Sequence, residues 1–129
     1  MQILQPPGWP RPKGYSNGIA ARGKLVFVAG QVGWNSDEKF ESDDMAAQFR
    51  QALVNVRAVL AEAGAGPEHV TRLTIYLTSK EEYLAALKGI GAGYREVFGK
   101  NFPVMAAVEV TALMEDRAKV EIEATAVVP

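Results

Sequence analysis

The chain has 129 residues, is 48% hydrophobic and 22% charged, and carries a net charge of −1 with no cysteine. That length fits one domain with one core over residues 1–129. The charge balance gives no basic surplus to hold a phosphate backbone, and the missing thiols exclude disulfides, thiol catalysis and cysteine metal sites. The N-terminus lacks the basic start and apolar run of a secretory leader, and no apolar stretch approaches the roughly 20 residues that cross a bilayer. The expectation is a soluble cytoplasmic protein with no membrane or nucleic-acid partner.

Residues 1–14 are rich in proline (Pro6, Pro7, Pro10, Pro12) and read as an extended arm without regular structure. Trp9 is read as its anchor against the body, with a pocket wall as the functional alternative. Tyr15–Ala21 predicts a first strand and Arg22-Gly23-Lys24 a tight turn. Leu25–Val32 is nearly all apolar and predicts a central strand covered on both faces. Gly30 within it points to a bulge or a close backbone approach. Gln31 beside it needs hydrogen-bond partners from the fold or from a ligand.

After a loop over 35–41, Ser42 or Asp43 is placed to cap a helix. Met45, Phe49, Leu53, Val56, Leu60 and Ala63 recur at helical spacing and form its apolar stripe. Val70–Thr78 predicts another strand. Ser79 followed by Glu82 reads as a capping box opening a second helix, with a stripe from Tyr83 to Phe98. Gly89, Gly91 and Gly93 lie inside that stripe and imply a close approach or an irregular helix, since each costs about 1 kcal/mol against alanine.

Two runs with period two close the chain. Phe102–Thr111 sets Val104, Ala106, Val108 and Val110 against Met105, Ala107, Glu109 and Thr111. Lys119–Val127 sets Val120, Ile122, Ala124 and Ala126 against Lys119, Glu121, Glu123 and Thr125. The gap between them is short enough for a hairpin, whose mixed face would carry Met105, Glu109, Glu121 and Glu123. The order β-β-α-β-α-β-β predicts an α+β two-layer domain. Its apolar second sheet face would be covered by self-association.

His69 is the lone histidine and reads as a surface loop residue. With one histidine and no cysteine, the usual zinc and transition-metal ligand sets are not assembled in one chain, so no metal site is expected. For the strand carboxylates two readings stay open. They form a solvated outer face balanced by Lys119, or one of them lies in a subunit-interface cleft as general base or water-orienting group.

Several blocks resemble the Rid (YjgF/YER057c/UK114) family of imine/enamine deaminases. They are Gly14-Tyr15-Ser16-Asn17-Gly18, Val28-Ala29-Gly30-Gln31, Gln48–Val56, Tyr94–Phe98, Phe102-Pro103, Val108-Glu109-Val110 and Val120–Val127. The resemblance implies a fold like Bacillus chorismate mutase and a homotrimer with clefts between subunits. There, imines or enamines derived from amino acids would be hydrolysed to 2-keto acids and ammonia without a cofactor. It places the water-positioning glutamate on Glu121 and the site-lining tyrosine on Tyr15, with Gln31 beside them. The arginine that grips the substrate carboxylate falls on Met105, a thiol position on Ala107, and an asparagine position on Gly91.

Met105 cannot replace a guanidinium fork, so the resemblance implies substrates other than small 2-imino acids. Three accounts follow. The ligand has no acid group at that place, with Met105, Trp34 and Phe102 suiting an apolar or aromatic body. Or another arginine, Arg50 or Arg11, substitutes. Or the cleft only binds, as a non-catalytic metabolite-binding or protein-interaction trimer. A ribonuclease or translation inhibitor, an activity also attributed to the family, fits the acidic balance least.

Overall fold

The structure is a computed structural model that describes all residues, Met1–Pro129. A four-stranded sheet carries the helices on one face. Its strands are β3 (Lys24–Val32), β4 (Val70–Leu77), β5 (Val104–Glu109) and β6 (Val120–Val128), in the order β3-β6-β4-β5. The helices are α1 (Met45–Glu62), α2 (Lys80–Ala85) and α3 (Leu87–Phe98). A separate two-stranded sheet pairs β1 (Gln2–Leu4) antiparallel with β2 (Gly18–Ala20). The mixed α+β fold predicted from sequence is what forms.

Three pairings differ from expectation. The N-terminal arm is not irregular throughout, because Gln2–Leu4 finds a strand partner in Gly18–Ala20. The first strand is accordingly shorter than Tyr15–Ala21 and is not hydrogen-bonded to β3. The largest difference lies at the C-terminus, where β5 and β6 form no hairpin. β4 lies between them, pairing parallel with β5 and antiparallel with β6. Parallel strands need a crossover, and α2 and α3 supply it between β4 and β5. β3 and β4, joined through α1, both run antiparallel to β6, which fits between them.

This pairing decides which residues share a face. Leu73, Ile75 and Leu77 of β4 stand beside Ala124, Ile122 and Val120 of β6. All six are buried against the helices with Phe49, Leu53, Val56, Leu60, Ile90, Val97 and Phe98. Val26 and Val28 extend this side onto β3. On the far face, Leu25 and Phe27 are 60% and 71% exposed. The expectation of a strand covered on both faces therefore fails within the chain. Only its helix side is closed.

The expected stripe of α1 is buried from Met45 to Leu60. Its cap is Asp44, whose carboxylate accepts from Ala47 N–H at 2.9 Å, one residue beyond the predicted pair. Asp43 instead meets Arg117 at 2.9 Å. Ser79 caps α2 as predicted, accepting from Glu82 N–H at 3.0 Å. The second helix is broken at Ala86 into α2 and α3. Two of the three glycines have a clear cause. A Cβ on Gly89 would lie 3.0 Å from Ala46 Cβ, and one on Gly93 3.1 Å from Arg50 Cβ, so they let α3 approach α1.

Candidate functional site

The site is best built from the β3–β6 pair. Their register shifts between Val28 and Gln31, a bulge in the stretch that carries Gly30. A Cβ on Gly30 would lie 2.4 Å from Glu121 Oε2. The Glu121 carboxylate therefore lies over the bare α-carbon of Gly30, and both sequence expectations for that glycine hold. Gln31 is half-buried, and its side-chain amide donates to Ala29 O at 3.1 Å. Its partner comes from its own strand.

The three strand carboxylates have different surroundings. Glu109 Oε1 accepts from Lys80 N–H at 2.6 Å and so serves the start of α2. Glu123 Oε1 accepts from the Tyr76 hydroxyl at 2.8 Å. That bond, with the negative charge behind it, raises the Tyr76 pKa above its ordinary value. Glu121 has no hydrogen-bond partner in the chain, although it is half-buried. Two of the three carboxylates thus have structural work, and the third is free.

The predicted mixed face does not exist as drawn. Met105 stands beside Leu73, Ala107 beside Ile75 and Glu109 beside Leu77, on the helix side. Glu121 and Glu123 stand beside Tyr76 and Thr74, on the far side. Met105 is partly buried and packs against the apolar core. Ala107 is exposed. Two strand spacings and three residues separate Met105 from Glu121, roughly 14 Å of backbone across opposite faces. One small ligand cannot touch both within a single chain.

Tyr15 belongs to the β5 edge. Ser16 bridges Val104 in parallel fashion. Its N–H donates to Pro103 O at 3.1 Å and its hydroxyl to Phe102 O at 2.6 Å. Tyr15 and Phe102 thereby line one cleft of about 700 Å³ with Trp9, Arg11 and Lys100. Trp9 is 59% exposed, so it is a wall of this cleft and not the packed anchor of the first expectation. Gly91 lies on α3, where a Cβ would meet Arg95 Nη1 at 3.3 Å. Trp34 is elsewhere, 5.6 Å from the Phe40 ring.

Arg50 is engaged by a two-point pair with Glu96, both contacts at 2.8 Å. It is not free to grip a ligand carboxylate. His69 is half-buried, and its Nδ1 accepts from Gly66 N–H at 3.0 Å, a local structural bond. No group of three or more His, Asp or Glu side chains comes together that could hold a metal ion. No helix is long and apolar enough to cross a membrane.

Two polar residues of α1 were not singled out from the sequence, yet they position this site. Gln48 is fully buried; its amide donates to Ser42 O and Arg117 O, and its carbonyl accepts from Lys119 N–H at 2.8 Å. It therefore fixes the chain two residues ahead of Glu121. Asn55 donates to Val32 O at 3.0 Å and Trp34 O at 2.8 Å, holding the exit from β3. The signal was available, as polar residues interrupting a buried helical face need partners.

The sequence model of the Endoribonuclease L-PSP family matches residues 10–128, nearly the whole chain. The chain belongs to the Rid family. A conserved Rid family protein from Yersinia pestis has the same fold, with a TM-score of 0.84, 31% identity and 98% of each chain covered. A RutC family protein of Pyrococcus abyssi is 34% identical over 91% of this chain and 89% of its own. The 2-iminobutanoate/2-iminopropanoate deaminase of Escherichia coli is 32% identical over 81% of this chain and 80% of its own. The family thus includes named imine deaminases.

Proposed function

We propose that this Rid-family protein is a hydrolytic deaminase of reactive imines or enamines, with Glu121 orienting and deprotonating the attacking water. The observation that carries this reading is the unpaired, half-buried Glu121 carboxylate over Gly30, while Glu109 and Glu123 are both engaged. Water adds to the C=N carbon as Glu121 takes its proton. Glu121 returns that proton to the substrate nitrogen. The hydroxyl proton of the resulting carbinolamine then moves to the same nitrogen as the C–N bond breaks, releasing ammonia and a carbonyl and leaving Glu121 ionised. A positioned general base contributes about 10²–10⁴-fold to such a step.

The separation of Glu121 from Met105 and Tyr15 supports a site completed by another copy of the chain. The open apolar face around Leu25 and Phe27 supports the homotrimer implied by the family resemblance. Gln31, paired with Ile122 on β6, Tyr15 and Ala107 at the β5 edge, and Gly91 on α3 are its proposed lining. Because Met105 is packed into the core, the substrates we propose are not small 2-imino acids. The same residue favours the second reading, a cleft that binds a metabolite without turnover.

The test is ammonia release from a panel of imines generated in situ by amino-acid and amine oxidases. Wild type should accelerate release from at least one larger or carboxylate-free imine. Glu121→Ala should lose about 10²-fold or more of that acceleration with an unchanged circular dichroism spectrum. Met105→Arg should gain activity on 2-iminopropanoate. No response to any imine by wild type, together with saturable ligand binding, would establish the non-catalytic reading.

A further inference from the structure

The cleft formed by the N-terminal arm and the α3–β5 loop contains Tyr15, which the deaminase reading uses, and also Trp9, Arg11, Lys100 and Phe102, which it does not. Trp9, Tyr15 and Phe102 all line it and are all substantially exposed, and Arg11 and Lys100 are the charged residues beside them. No acidic residue lines it. The chain's ion pairs are formed by Arg50, Arg117 and Lys119, so Arg11 and Lys100 are both unpaired. Two unneutralised cations lining one cleft make it electropositive, and an anion bound there is attracted to both.

The walls are held in place. Gln5 donates to the carbonyls of Trp9 at 3.2 Å and Pro10 at 3.3 Å, and its own carbonyl accepts from Asn17 at 2.8 Å. On the other side, the Phe102 ring stacks on Tyr94 with centroids 6.0 Å apart and planes 9° from parallel. The Tyr94 hydroxyl donates to Asn101 O. Ser16 then clamps Phe102 O to the arm at 2.6 Å. Exposed aromatics on a braced frame offer a flat apolar surface at little ordering cost.

We propose that this cleft binds an organic acid with an aromatic or conjugated body, its carboxylate between Arg11 and Lys100 and its ring among Trp9, Tyr15 and Phe102. That the acid is the substrate or product of deamination rests on the reading above. Arg11 then supplies, from the arm, the charge that Met105 does not supply from β5. A guanidinium accepts a carboxylate in two-point fashion and also stacks on aromatic faces.

The experiment is titration calorimetry of the full chain with phenylpyruvate, pyruvate, phenylacetone and phenyl phosphate. Phenylpyruvate should bind about tenfold or more tightly than pyruvate, which lacks the ring, and than phenylacetone, which lacks the carboxylate. Arg11→Gln with Lys100→Gln should weaken phenylpyruvate about tenfold or more while leaving phenylacetone unchanged. Trp9→Ala should bring phenylpyruvate toward pyruvate. All three side chains are exposed, so the variants should fold, and their melting curves check this.

Equal binding of phenylpyruvate and pyruvate would overturn the inference. So would wild-type binding by the double glutamine variant, or phenyl phosphate binding best. The imine panel separates the two readings. If wild type hydrolyses imines but the double variant keeps the same preference among them, the cleft inference fails and the deaminase stands. If phenylpyruvate binding depends on Arg11 and Lys100 while no imine is turned over, the deaminase fails and the binding site stands.

Discussion

On the helix side of the sheet, Leu73, Ile75, Leu77, Val120, Ile122 and Ala124 are all buried by the chain's own helices, whereas on the far side Leu25 and Phe27 stand open to solvent. Both sets are apolar, so composition does not separate them. What separates them is whether the chain itself supplies the cover. The helix side is complete in one copy and accounts for the stability of the fold. The far side combines open apolar groups with Arg72, Tyr76, Glu121 and Glu123. Its polar groups pair only in part, and its apolar groups gain nothing from burial in a single chain.

Leu73 is completely buried at the centre of the sheet, on the side closed by the chain's own helices. Leu73→Ala should cost about 2–5 kcal/mol of unfolding free energy, from lost burial and the cavity left behind, read as a lower denaturant midpoint. The matching change across the sheet, Phe27→Asp, should leave the folded monomer within about 1 kcal/mol of wild type. Its effect should appear as a fall in mass by analytical ultracentrifugation. A variant that assembles as wild type does would show that the open face has no role in association.

Gly30 lies on the open side, directly beneath the Glu121 carboxylate. Gly30→Ala adds a Cβ where Glu121 Oε2 now lies. The carboxylate is the end of a flexible side chain, so it moves and the fold survives at a cost under about 1 kcal/mol. A displacement of about 1 Å in a reacting group costs up to about 10²-fold in rate. Imine turnover should therefore fall far more than the melting temperature. A parallel loss of both would mark Gly30 as a purely structural residue.

Particular residues explain what was legible in the sequence. The buried stripe of α1 and the cap at Ser79 were readable because helical periodicity and capping are local. Gly30 was readable because a glycine in a strand has few causes. The C-terminal pairing was not, because strand alternation reports faces and says nothing about neighbours. Val104, Ala106 and Val108 look like a core-facing set, but β5 is an edge strand. It turns them to the far face and sends Met105 toward the helices. Glu121 was singled out by family resemblance, and its isolation became visible only once Tyr76 and Lys80 were found holding the other two carboxylates. Trp9 shows the limit of general rules about aromatics. Its arm is braced by Gln5 and Asn17 and needs no buried anchor.

The smallest expected effect is at the helix–helix surface, where Arg50 of α1 meets Glu96 of α3. The hydrogen bond from Arg50, followed by its charge, holds the Glu96 carboxyl below its ordinary value. Between that lowered value and the ordinary one, the unfolded chain binds more protons at this group than the folded chain. Stability therefore rises with pH across the interval, and the contribution is lost as pH falls through the folded value. The pair is exposed, and solvent screening keeps its worth small. Glu96→Gln should therefore leave the melting temperature near neutrality almost unchanged and flatten its decline on the acid side. The same substitution frees Arg50, which has no other partner, so it also tests whether that guanidinium can serve a ligand. If Glu96→Gln gains 2-iminopropanoate hydrolysis, Arg50 lies within reach of the site and Glu96 had been withholding it. If only the acid limb changes, the pair is part of the α1–α3 packing, and carboxylate recognition has to come from elsewhere in the assembly.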